Sequence, residues 1–102
     1  MHDGETALEL RFKGVVIYWR GPSPFYFVEI PRKQSEEIKR NSKDISYGWG
    51  VIPVSALALK VEWSTSLFPK GGLYLLPLKN VVRKSLKVDT GDILSVIMKL
   101  GK

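Results

Sequence analysis

The stretch Thr65-Ser66-Leu67-Phe68-Pro69-Lys70-Gly71-Gly72-Leu73-Tyr74-Leu75-Leu76-Pro77 constrains this chain more than any other. Two apolar runs flank a Pro69-Lys70-Gly71-Gly72 turn, and a proline closes the second run. Read onward through Lys79 and Arg83 to Gly91-Asp92, the segment spells strand, turn, strand, short helix, turn, strand. That order names an architecture and leaves the activity open, because no catalytic constellation, metal-ligand cluster or phosphate-binding loop accompanies it.

The rest of the chain continues the β theme. Leu8, Leu10 and Phe12 alternate with Glu9, Arg11 and Lys13, the period of a strand with one buried face. Gly14 interrupts the alternation, and Val15-Val16-Ile17-Tyr18-Trp19 resumes it, so Gly14 reads as a bulge or bend rather than an end. Gly21-Pro22-Ser23-Pro24 is a turn; Phe25 to Ile30 is the next strand, closed by Pro31. Arg32 to Asn41 favours a helix anchored by Ile38. Gly48-Trp49-Gly50 opens a third β region, Val51 to Val61, in which Pro53 predicts an edge or a bulge. Glu62 to Phe68 and Leu73 to Leu76 flank the glycine turn. Leu78, Val81, Val82 and Leu86 recur at the spacing of one helical face, with Lys79, Asn80, Arg83, Lys84 and Lys87 on the other. Asp89 to Asp92 is a turn in which Asp92 bonds nearby backbone, and Ile93 to Leu100 is a last strand with Leu94, Val96, Met98 and Leu100 on one face.

A faint duplication runs through this pattern. Phe25 to Ile30, Pro31, a helix and a glycine-led strand parallel Leu73 to Leu76, Pro77, a helix and a glycine-led strand, with Pro31 matching Pro77 and Lys33 matching Lys79. Two such units can pack about a pseudo-twofold axis and close one barrel, which hides the sheet edges that promote aggregation. The expected fold is therefore mainly β: a small closed or double-split β-barrel with two short helices.

Length and composition set the outer limits. With 102 residues, 44% hydrophobic and 25% charged, the chain supports one core, and residues 1–102 are expected to form a single domain. It has no cysteine, which removes disulfides, thiolate metal sites and thiol nucleophiles together. The start carries Asp3 and Glu5 where a secretion signal is basic and then apolar, and no run is long enough to span a bilayer. A cytoplasmic protein without membrane insertion is the expectation.

Several pieces carry a family resemblance: Phe25-Tyr26-Phe27-Val28 before Pro31, Gly48-Trp49-Gly50, Trp63 followed by Thr65 to Pro69, Tyr74-Leu75-Leu76-Pro77 with Lys79 and Arg83, and Gly91-Asp92. Together they resemble the domain-of-unknown-function family 1905 over nearly the whole chain. The resemblance implies a small bacterial or archaeal double-split β-barrel without an assigned activity, whose relatives often add a domain associated with bacteriocin protection. The family tends to have glycine before the Trp63 strand; Ala58-Leu59-Lys60 here predicts a longer or bulged turn, because primed turns need positive φ. The second half also resembles, more loosely, one protomer of the swapped-hairpin transition-state regulators that bind DNA as dimers. Similarity of barrel does not carry that function with it.

Three classes of function remain. Catalysis lacks machinery: the sole histidine is His2, near the terminus, and Thr65 or Ser66 beside Lys70 has no third orienting group. No cofactor or metal is implied. Nucleic-acid binding has a basis in charge, since the formal net charge is +6 and Trp63 to Val88 contains Lys70, Lys79, Arg83, Lys84 and Lys87 without an acid. Trp19, Tyr26 or Trp49 would then stack on bases. A non-enzymatic module that binds a protein or a small ligand is favoured over both. Its candidate surface is Trp63, Thr65, Ser66, Phe68 and Lys70 with Lys79, Arg83 and Lys84, aromatic anchors beside basic groups.

Overall fold

A computed structural model describes residues 8–20, 24–41 and 52–101. Alternation along the first segment puts Leu10, Phe12 and Val16 inward and the charged Glu9, Arg11 and Lys13 outward, giving strand β1, Glu9–Arg20. Then follow β2 (Pro24–Glu29), helix α1 (Arg32–Asn41), β3 (Ile52–Ala58), β4 (Val61–Lys70), β5 (Leu73–Leu78), helix α2 (Asn80–Leu86) and β6 (Ile93–Leu100). All pairings are antiparallel, and the six strands close in the order β1-β2-β5-β4-β3-β6. Inward side chains such as Val16, Val28, Ile52, Leu67, Leu76 and Met98 fill the barrel. The mainly β closed barrel with two short helices expected from the sequence is the fold observed.

Strands β1 and β4 each serve two neighbours. β1 pairs with β6 from Glu9 to Val15 and with β2 from Val15 to Arg20; β4 pairs with β3 from Val61 to Leu67 and with β5 from Phe68 to Lys70. Laying Val15 on Phe68, where each strand changes partner, carries the pair Leu10–Met98 onto Trp63–Ala56 and the pair Val15–Glu29 onto Phe68–Leu75. The same exchange sets the inward residues Ile52, Val54, Ala56 and Ala58 on Leu94, Val96, Met98 and Leu100, and Pro31 on Pro77. The pairs Glu29–Leu75 and Ala56–Met98 map onto themselves, so the pseudo-twofold axis passes through both. The faint repeat in the sequence is thus a repeat of register, legible at the prolines.

Gly14 lies immediately before the first handover, and the strand runs through it. A Cβ there would come 2.5 Å from both the Glu29 carbonyl oxygen and Val28 Cγ1, so β2 approaches too closely for any side chain.

Four expectations need correction. Ala58-Leu59-Lys60 forms no longer or bulged turn: Ala58 pairs with Val61 across a tight turn in which Leu59 (φ 47) and Lys60 (φ 69) both take positive φ. The burial of Ala58 and Trp63 on either side holds the register, against a left-handed cost of about 1–2 kcal/mol per residue. The second turn is also tighter than expected, since Pro69 and Lys70 pair with Tyr74 and Leu73 and leave Gly71 and Gly72 at φ 61 and 85. Pro53 marks no edge, because β3 lies between β4 and β6; its carbonyl accepts the Gly101 N–H (2.8 Å) just beyond the end of β6, where a missing donor interrupts no ladder. Val81 faces solvent, 70% exposed, while Val82 and Leu86 hold α2 to the barrel. In α1, Ile38 is joined by Ser35, whose hydroxyl donates to the Ile30 carbonyl (2.9 Å) and accepts from the Tyr74 N–H (3.0 Å). Asp92 does bond the turn backbone, accepting from the Asp89 N–H (2.8 Å). Gly21 to Ser23 and Gly48 to Gly50 fall outside the described residues.

Candidate ligand groove

The two-partner role of β4 creates an opening. β4 and β5 are laddered only from Phe68–Leu75 to Lys70–Leu73. Two residues further along that register Ser66 would face Pro77, which has no N–H to offer. Instead the Trp63 indole Nε1–H donates to the Pro77 carbonyl (3.0 Å), so a side chain spans the gap that the backbone ladder leaves.

Between the parted strands lies a groove of about 770 Å³. Its floor is apolar: Phe27, on the outer face of β2 and only 2% exposed, with Phe68 and Pro77. Phe68 is 45% exposed and meets Phe27 edge-on with ring centroids 6.2 Å apart. Ser64, Thr65 and Ser66 supply hydroxyls along one wall, and Lys79 and Asn80 stand where β5 passes into α2. An apolar floor with a few convergent polar groups is the usual constitution of a binding site.

The pseudo-twofold relation explains why this half is open. Trp63 corresponds to Leu10 and Thr65 to Phe12. Phe12 is buried in the core, whereas the half-buried Thr65 forms part of the groove wall. A phenyl ring in one half is matched by a short hydroxyl side chain in the other.

The eight candidate residues separate into distinct roles. Thr65, Ser66, Phe68 and Lys79 meet at the groove. Trp63 does not present its ring to a partner: it is a core residue whose indole N–H is already engaged. Lys70 sits over Trp19, with Nζ 4.3 Å from the ring centroid. Arg83 lies over Tyr26 at 4.1 Å and makes a long hydrogen bond to the Val88 carbonyl (3.4 Å), its Nε buried without a partner among the described residues. Lys84 is exposed in the last turn of α2. Trp19 and Tyr26, considered as base-stacking residues, therefore each carry a cation on one face; Trp49 lies outside the described residues. Phe27, Ser64 and Pro77 lie outside the eight sequence candidates. The repeat points to Pro77, which recurs as Pro31, and the strand alternation puts Ser64 on one face with Phe68; no local signal marks Phe27.

Chemically the groove offers contact and hydrogen bonding. No histidine or carboxylate stands beside Ser64, Thr65 or Ser66 among its described lining residues. Among the described residues, no group of three or more His, Cys, Asp or Glu is placed to hold a metal ion, and no helix is long and apolar enough to cross a membrane. A family model described as a domain of unknown function, DUF1905, matches residues 12–98. No curated protein matches the chain.

Proposed function

The chain belongs to the DUF1905 family, and on the geometry of its open half we propose that it is a non-enzymatic binding module, acting in the cytoplasm, whose ligand site is the groove between β4 and β5. The observation that carries this reading is that the half-buried Thr65 stands where the other half of the barrel holds the buried Phe12, on a groove that also presents the exposed Phe68 ring, serine hydroxyls and a lysine. A lack of cysteine suits a reducing compartment.

Among the described lining residues Lys79 is the one charged group, so the ligand carries an apolar body and a negative group. Ligand-observed NMR with a set of small aryl and alkyl carboxylates tests this. Binding to the native protein is expected, and Thr65→Phe abolishes it while the melting temperature is kept. Equal binding to both proteins contradicts the assignment.

The nucleic-acid reading draws on the exposed Lys79, Lys84 and Lys87. It has less support, because stacking needs open ring faces and Trp19 and Tyr26 already carry Lys70 and Arg83. A salt-sensitive mobility shift with single-stranded oligonucleotides would restore it.

A further inference from the structure

The wall of the groove is a strand edge whose groove-facing backbone, among the described residues, has no partner strand. Gly101 donates to the Pro53 carbonyl, so Pro53 turns its backbone polar group toward β6. Ser66 lies directly opposite Pro53. In an antiparallel ladder, when one residue of a facing pair points away from its neighbour strand, so does the other. The N–H and C=O of Ser66 therefore point away from β3, into the groove, and those of Ser64, two residues along, do the same.

The far side of the opening gives the same phase. Ile30 donates to the Tyr74 carbonyl, which turns Tyr74 toward β2 and its neighbour Leu75 toward β4, where Leu75 meets Phe68. Phe68, Ser66 and Ser64 thus share one direction. Phe68 finds its partner, whereas the two serines face the place where β5 has diverged. No described residue bonds their groove-facing backbone groups. The β5 side is closed to pairing, because Pro77 lacks an N–H and its carbonyl is taken by Trp63.

Unpaired backbone groups in a partly enclosed site are satisfied best by another backbone. We infer that the occupant of the groove is an extended peptide segment that adds as a strand to β4. Its main chain bonds Ser64 and Ser66, an apolar side chain lies on Phe27, Phe68 and Pro77, and an acidic side chain or terminal carboxylate lies by Lys79. The inference rests on the groove being the ligand site and adds the ligand class and the mode of recognition.

The edge geometry supplies a selective perturbation. The Ser66 N–H takes no part in the β3 ladder, so Ser66→Pro deletes a groove-facing donor and leaves the barrel's pairing whole; Pro53 already stands opposite. An ester replacing the Thr65–Ser66 amide, introduced by semisynthesis, makes the same deletion without the proline ring.

The experiment selects displayed random dodecapeptides, some ending in a free carboxylate, against the immobilised full chain, and follows the enriched peptides by amide NMR and hydrogen exchange. The expected result is enrichment of sequences combining an apolar residue with an acidic group, slowed exchange at Ser64 and Ser66 on binding, and about tenfold weaker binding to the Ser66→Pro or ester protein. Peptides that bind in a Phe68-dependent way without slowing those two amides, and equally well to both altered proteins, overturn strand addition and leave the groove as the site. Failure to enrich any peptide, with small carboxylates still bound, does the same. Failure of both kinds of ligand removes the site itself.

Discussion

Ala56 and Met98 stand directly opposite each other where β3 meets β6, on the axis that relates the two halves of the barrel. On their other sides Ala56 faces Trp63 and Met98 faces Leu10, so the smallest of these side chains lies beside the largest. The halves share a register and exchange bulk between equivalent positions. Ala56→Leu is expected to overpack against Trp63 and cost about 1–3 kcal/mol, and Met98→Ala to leave a cavity costing about 2–5 kcal/mol. Urea denaturation reads both; a loss below measurement error in either would mean the axis is loosely packed.

Leu59 and Lys60 hold positive φ without glycine. The pair Leu59→Asn with Lys60→Gly should stabilise the barrel by about 1–2 kcal/mol, because those residues adopt the turn without strain. Leu59 is 69% exposed, so little packing is lost. The melting temperature checks this: a fall would show that the turn is held by contacts its φ values do not report.

Gly14→Ala tests the close approach of β2. The new methyl would lie 2.5 Å from backbone oxygen, and something must move. A loss of more than about 2 kcal/mol is expected, in the range of severe overpacking. A neutral result would place β2 farther from β1.

Trp63 acts as a strut between β4 and β5 rather than as a recognition residue. Trp63→Phe keeps an aromatic ring and leaves the Pro77 carbonyl without its donor, so stability should drop by about 1–3 kcal/mol. An undiminished melting temperature with ligand binding abolished would return Trp63 to the binding surface.

Much of the barrel is legible in the chain because alternation survives wherever a strand has one dry face. Leu94, Val96, Met98 and Leu100 are readable one by one, and all four are buried. What local pattern hides is decided between strands. Val81 fits a helical apolar face on paper, but Val82 and Leu86 are enough to seat a short α2. Ser35 reads as a neutral helix residue and is a buried tie between Ile30 and Tyr74. Thr65, Ser66, Phe68 and Lys79 are readable as a cluster from the turn that brings them together. Separating them from Trp63, Lys70 and Arg83 requires knowing where β4 and β5 part, and that follows from the register and from Pro77, not from residue type.

Binding at the opening between β4 and β5 is what we propose for this domain. An amide chemical-shift map of the uniformly 15N-labelled full chain, titrated with an enriched peptide or the best carboxylate, tests it most directly. Changes are expected to centre on Ser64 to Phe68 and on Leu78 to Asn80 and to diminish toward the β1–β6 side of the barrel, which lies opposite β4 and β5 in the strand order. Saturable changes centred on that opposite side, with Ser64 to Phe68 unmoved, would contradict it.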